Sequence, residues 1–159
     1  MAGCDLCAGA QRMDRGDDPY AVARLETGFV RLHEVQYFRG YTVFAAKTCV
    51  AELHELERGE RDLYLAEMSE VAHALSRAFR PRKLNYELLG NSVPHLHWHL
   101  VPRYDTDPHP RGPIWEDLSF LRNLWTGGSA STVTERDAMR TTLLQELERA
   151  DVRIERAFV

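Results

Sequence analysis

The run Pro94-His95-Leu96-His97-Trp98-His99-Leu100-Val101 constrains this chain more than any other stretch. Three histidines occupy every second position, with Leu96, Trp98 and Leu100 in and after the gaps. Successive side chains of a strand point to opposite faces. A strand here therefore puts all three imidazoles on one face and anchors the apolar residues in a core on the other. A helix would scatter the rings about its axis. Neighbouring imidazoles on a strand stand about 6.5 to 7 Å apart, and the outer two about 13 Å. A tetrahedral zinc with bonds of about 2 Å cannot easily gather all three without bending the strand. Geometry favours the other arrangement, in which one imidazole is a nucleophile and its neighbours do different work. Neutral imidazole attacks phosphorus well, and the phosphoramidate it forms is labile enough to be hydrolysed. Such a nucleophile needs a partner that fixes its tautomer, and donors for the charge that develops on the phosphoryl oxygens.

The 159 residues fit one compact domain, or one domain with extensions. A net charge of −4 argues against a nucleic-acid scaffold but leaves room for a small anionic ligand held by local positive charge. No stretch of about 18 apolar residues is present, so no membrane span is expected. The start, Met1-Ala2-Gly3-Cys4-Asp5, has no basic region followed by an apolar one, so no secretory signal is expected. Three cysteines, an odd and small number, fit a cytoplasmic chain with reduced thiols.

Residues 1–19 are poor in apolar side chains, and 14–19 read as a loop. Strands are expected over 29–33, 36–38 and 41–46, with Arg39-Gly40 as a turn or bulge. A short helix is expected over 49–57. The main helix spans 60–80, where Tyr64, Met68, Val71, Leu75 and Phe79 follow helical spacing until Pro81 ends it. Two more strands follow, over 84–89 and 94–103. Residues 105–128, rich in Pro, Gly and Trp, read as irregular. A last helix over 131–149 carries Met139, Leu143, Leu144 and Leu147 on one stripe, with Thr134 and Asp137 as an acidic capping box. Strands, then a helix, then more strands, without regular alternation, argue α+β with an antiparallel sheet.

His95-Leu96-His97-Trp98-His99-Leu100-Val101 resembles the histidine-triad (HIT) motif at every position. The likeness extends upstream through Asn85, Gly90, Asn91 and Ser92 and downstream through Pro102-Arg103-Tyr104, and covers roughly residues 4–104. It implies a sheet of about five antiparallel strands with one main helix across it. Residues 1–104 would form the catalytic domain with its N-terminal zinc-binding segment; 105–159 would add an irregular segment and a C-terminal helix packed on the same domain. It also implies a homodimer and a nucleotide hydrolase or transferase working through a nucleotidyl-histidine. In that frame His97 is the nucleophile and His99 contacts the phosphate or leaving-group oxygen. Ser92 bonds the phosphate region, Asn85 serves the phosphate or ribose side, and Asn91 stands where Gln is frequent. The substrate class expected first is a dinucleoside polyphosphate of the diadenosine kind. A nucleoside phosphoramidate hydrolase or a phosphorylase shares the same intermediate. A non-catalytic nucleotide- and zinc-binding module is the reading from another class. The family often has Gly-His where this chain has Gly40-Tyr41, so the role of orienting His97 falls to a backbone carbonyl, to Tyr41 or to another side chain.

Cys4-Asp5-Leu6-Cys7 alone is a weak signal, either a redox pair or half of a zinc site. Within the resemblance, the pair joins Cys49 and His95 in a structural zinc site. Cys49 stands where the family usually has histidine, and cysteine is an equally good ligand. His54 is the competing candidate. Arg39, Lys47, Arg82, Lys83 and Arg103 could supply charge to a phosphate, but none stands out. Trp115 and Trp125 could cover the site or simply pack, and His33, His73 and His109 carry no pattern. Phe29, Val30 and Leu32 lie where the family binds adenine or ribose, and core packing explains them equally well.

Overall fold

A computed structural model describes residues 3–159. In chain order the elements are α1 (Asp5–Arg15), β1 (Ala21–Arg24), β2 (Gly28–Leu32), β3 (Thr42–Ala46), α2 (Arg58–Phe79), β4 (Lys83–Leu88), β5 (His97–Arg103), α3 (Leu118–Thr126), α4 (Val133–Leu147) and β6 (Arg156–Ala157). Single 3-10 turns lie at Leu53–Glu55 and Ile114–Glu116. The strands form one six-stranded antiparallel sheet in the order β4-β5-β3-β2-β1-β6. The α+β class and the antiparallel sheet agree with the sequence reading; the sheet has one strand more than the five expected.

The strands divide the core by alternation. Val30, Leu32, Phe44 and Leu100 point to the face covered by α2 and α4, where they meet Tyr64, Val71, Leu75, Leu143 and Leu147. Each such side chain, fully withdrawn from water, contributes about 1.5–3 kcal/mol. The opposite face carries two smaller clusters. Met13 of α1 covers Phe29 and Ala21, and Ile114 of the second 3-10 turn and Phe120 of α3 join Phe38, Tyr41 and Val101. Gly40 lies against the end of α2. It has φ +85°, and a Cβ there would overlap the Phe79 ring at the end of α2.

Several local expectations are corrected. Residues 36–38 form no strand, with 37 and 38 in bends: Gln36 spends its carboxamide on His33 O, Tyr41 O and Gly40 N–H. Residues 49–57 hold only the short 3-10 turn. β5 begins at His97, so His95 precedes the strand. The first 19 residues contain α1, and the stretch 105–128 contains α3. Both are short, and each buries few residues, so periodicity alone was too weak to reveal them. Their ends were nevertheless written in the sequence. Gly16 and Gly127 adopt the left-handed conformation as C-caps, and Asp117 accepts from Phe120 N–H at 2.9 Å as an N-cap. The capping box of α4 is Thr132 with Glu135, two residues upstream of the expected pair.

Candidate active site

β5 lies between β3 and β4, and its register fixes what surrounds the histidines. His97 pairs with Ala45, and His99 pairs with Val43 on one side and Glu87 on the other. The small Ala45 leaves room beside His97, which is 7% exposed. The His97 and His99 rings stand closer than strand spacing suggests, with centroids 4.7 Å apart and planes at 72°. Their nitrogens form a directed chain. His97 Nδ1 lies 2.6 Å from the carbonyl oxygen of His95. A carbonyl can only accept, so Nδ1 carries the proton and Nε2 of neutral His97 is a lone pair. His97 Nε2 is 3.0 Å from His99 Nε2, so His99 donates there. That leaves His99 Nδ1 as the acceptor of the Tyr41 hydroxyl at 2.7 Å.

Of the three candidates for orienting His97, the backbone carbonyl takes the role, and Tyr41 acts on His99 instead. Burial, with His97 and His33 close by, pushes His99 down to about 3. Burial also lowers His97, against the raising effect of its bond to His95. Both rings are therefore neutral at pH 7. His33 stacks on Tyr41 with centroids 4.2 Å apart and planes at 5°, and its Nδ1 accepts from Val35 N–H at 3.0 Å. Burial and the Arg31 charge push His33 down to about 4. Sequence spacing did not mark His33. The β2–β3 pairing would have done so, since His33 N–H bonds Tyr41 O at 2.8 Å just beyond it.

The other substrate-side candidates are spread out. Asn91 and Ser92 are exposed in the β4–β5 connection that leads to His97. Asn85 pairs with Val101, one side-chain step beyond His99 on the same face, and its Oδ1 accepts from Arg103 at 3.2 Å. Arg103 itself did not stand out in the sequence, yet it is 2% exposed. It bonds Asp107, Gly112 O and His109 O and lies over the Phe38 ring. It ties down the segment after β5 rather than offering charge to a ligand. Val30 and Leu32 face the α2 side, while Phe29 faces α1. Trp115 and Trp125 are exposed on and near α3.

A second cluster adjoins the first. Cys4, Cys7, Cys49 and His95 bring one ligand atom each to within 4.8 Å of one another. His95 Nδ1 is 3.2 Å from Cys4 Sγ and 3.6 Å from Cys7 Sγ. Around a tetrahedral zinc, nitrogen and sulfur ligands stand about 3.6 Å apart. His95 Nε2 donates to Ala46 O at 2.8 Å, which leaves Nδ1 unprotonated and aimed at the thiols, the arrangement a metal-bound histidine takes. These four residues could hold a metal. His54 is exposed and lies outside the cluster.

The HIT domain family model matches residues 25–106, just over half of the chain. The chain belongs to the histidine-triad family. Solved structures share the fold at low identity. A histidine triad protein from Marinobacter aquaeolei VT8 is 22% identical over 87% of this chain and 94% of its own, with TM-score 0.68. A hypothetical histidine triad nucleotide-binding protein from Sulfolobus tokodaii is 16% identical, over 90% and 93%, with TM-score 0.66. A zinc-bound histidine triad family protein from Mycobacterium smegmatis is 20% identical, over 90% and 94%, with TM-score 0.61. No curated protein matches this HIT chain significantly. No helix among the described residues is long and apolar enough to cross a membrane.

Proposed function

We propose that this HIT protein is a nucleotide hydrolase that cleaves nucleoside phosphoanhydrides of the diadenosine polyphosphate type through a nucleotidyl-His97 intermediate. The observation that carries this reading is the tautomer of His97. Its Nδ1–H is committed to the His95 carbonyl, so the nucleophile is the Nε2 lone pair, which accepts from His99 Nε2–H until substrate takes that bond. That lone pair attacks the α-phosphorus, the bond to the leaving phosphate oxygen breaks, and its electron pair leaves with that oxygen. Water then attacks the same phosphorus, the P–N bond returns its pair to Nε2, a water proton passes to solvent, and a nucleoside monophosphate is released. His99 Nε2–H points at this nitrogen, where a phosphoryl or leaving-group oxygen arriving beside Nε2 could take over the hydrogen bond. Ser92 and Asn91, exposed on the approach to His97, supply further donors, and Asn85 flanks them from β4.

Zinc fits the second cluster by donor set, ligand spacing and the His95 to Ala46 bond. With four protein ligands and no open position it would be structural, pinning α1 to the strand that bears the nucleophile. The thiolate-rich site suits the reducing cytoplasm. A homodimer through β4 suits its place at the edge of the sheet, where Tyr86, Leu88 and Leu89 are exposed.

The test is the covalent adduct. Protein mixed with diadenosine tetraphosphate and quenched in base should carry an adenylyl mass on the His97 peptide and release adenosine monophosphate on turnover. His97→Asn should do neither. If the wild type yields neither adduct nor turnover across anhydrides, phosphoramidates and added phosphate, the protein is a binding module.

A further inference from the structure

The chain of bonds from Tyr41 to His97 has a direction, and the direction limits what can leave. We propose that Tyr41 is a positioning residue that locks His99 as an Nε2–H hydrogen-bond donor, and so restricts the site to leaving groups that depart as stable anions. This rests on the hydrolase reading above and narrows it to phosphoanhydrides over phosphoramidates of alkyl amines.

The Tyr41 hydroxyl has little freedom. Its residue is 3% exposed, its ring is stacked flat on His33 and packed with Phe38 and Phe120, and its N–H is bonded to Phe38 O. The hydroxyl meets His99 Nδ1 at 2.7 Å, and Nδ1 must accept because His99 Nε2 already donates to His97. His99 therefore reaches the substrate as a neutral ring with one proton facing it.

The two leaving groups ask different things of that proton. When a P–O bond of an anhydride breaks, the electron pair goes to a phosphate oxygen that is stable without a proton. A hydrogen bond from His99 is enough. When a P–N bond to an alkyl amine breaks, the nitrogen must gain a proton and leave as neutral amine, because its anion is far too basic. If His99 gives up its Nε2 proton, Nδ1 must take one in return. Its partner there is Tyr41, whose phenolate would form in a buried site facing Glu87, the residue opposite His99 in the sheet. Burial, and then the Glu87 charge, oppose that ionisation. His99 does not start out as an imidazolium either, being pushed down to about 3 by burial and by its neighbours. The remaining titratable neighbour, His33, stacks on Tyr41 and accepts from Val35 N–H at Nδ1, so its proton is on Nε2; its ring lies 6.3 Å from that of His99, whose two nitrogens already bond Tyr41 and His97, and no hydrogen bond carries that proton to His99.

The experiment compares wild type, Tyr41→Phe and Tyr41→His on two substrates with the same adenylyl group. One is diadenosine tetraphosphate, the other the phosphoramidate of adenosine monophosphate with an alkyl amine. A general acid is worth about 100-fold or more in rate, so wild type should favour the anhydride by at least about 100-fold in kcat/KM. Tyr41→His replaces the phenol with a group that can hold and pass a proton, and should shrink that preference by about 10-fold or more while the chain stays folded. Tyr41→Phe should lower kcat on the anhydride with little change in KM. Imidazole nitrogen resonances of the substrate-free protein read the lock itself: His99 should be the Nε2–H form in wild type and a mixture in Tyr41→Phe. An Nδ1–H form in wild type, equal turnover of the two substrates, or an unchanged preference in folded Tyr41→His overturns the proposal and leaves the hydrolase reading standing. Loss of turnover on both substrates in wild type overturns the hydrolase reading and this selectivity with it.

Discussion

Arg103 offers the sharpest test of how the site is held. Its guanidinium is 2% exposed, and its ion pair with Asp107, at 2.9 Å, is nearly as deeply buried at both ends. The same fork donates to Gly112 O at 2.9 Å, His109 O at 2.8 Å and Asn85 at 3.2 Å. It also lies 4.6 Å from the centre of the Phe38 ring, which packs with Tyr41. Arg103→Met keeps the unbranched stem of the side chain as far as the position of Nε and removes every one of these bonds. Asp107 then retains only the Tyr104 N–H, at 3.0 Å, as a partner. Removing one member of a buried pair costs about 3–5 kcal/mol, because the other charge is left in a poor solvent. For a domain of this size that is a drop in Tm of about 6–20 °C. Urea titration of wild type and variant at pH 7 measures it directly, provided the m-value is unchanged. Adding Asp107→Asn removes the orphaned charge and should return about 1–2 kcal/mol of the loss. A loss below about 1 kcal/mol for Arg103→Met would place the pair among exposed ion pairs and refute the reasoning.

Three further outcomes concern buried polar groups and the cysteine cluster. Stability should decline in mild acid: His33 has a folded value of about 4 below an unfolded value of about 6.5, so the unfolded chain takes up the proton first. The decline begins as pH falls below 6.5, levels off below about 4 and is worth up to about 3 kcal/mol for this group, and urea melts of His33→Phe should show a flatter acid limb. Glu67→Ala, which strips the buried carboxylate that accepts from Glu26 N–H, Thr27 N–H and the Thr27 hydroxyl, should cost about 2–4 kcal/mol, with Glu67→Gln milder, both by the same melts. Freshly purified protein should hold about one zinc per chain; chelation or Cys49→Ser should lower Tm and open α1 to trypsin at Arg12 and Arg15, and an unchanged Tm after complete zinc loss would refute the structural role.

The fold was legible where burial is long and periodic. The stripe from Tyr64 to Phe79 and the stripe of Met139, Leu143, Leu144 and Leu147 both lie against the sheet, because each presents a full apolar face. It was illegible where helices are short and capped. α1 buries only Gly9 and Met13, so its existence depends on Gly16 and on the bond from Cys7 N–H to Cys4 Sγ rather than on an apolar face. At the site, the motif announced His97 and His99, and the three cysteines with His95 were legible through the family resemblance and come together in space. The roles of Tyr41, His33 and Arg103 were not legible, since each depends on a partner brought in by strand pairing or by a loop that folds back. No spacing rule carries that information, because the partner of Arg103 depends on how residues 104–113 turn, and the partner of Tyr41 on the β3–β5 register.

His95 explains why the alternation is needed at all. Its ring belongs to the cysteine cluster and its carbonyl holds the His97 proton, so one residue touches both centres through different atoms. Because β5 begins only at His97, the backbone at His95 is free of the ladder at that carbonyl and can turn it toward the imidazole two residues on. The ring meanwhile is fixed from behind by Ala46 O, itself at the end of β3, and Ala45 beside it pairs with His97. The cluster, the strand end and His97 are thus tied to the same two residues of β3. A displacement of His95 large enough to break the cysteine cluster must also move the group that sets the His97 tautomer. The two centres read separately in the sequence are mechanically one.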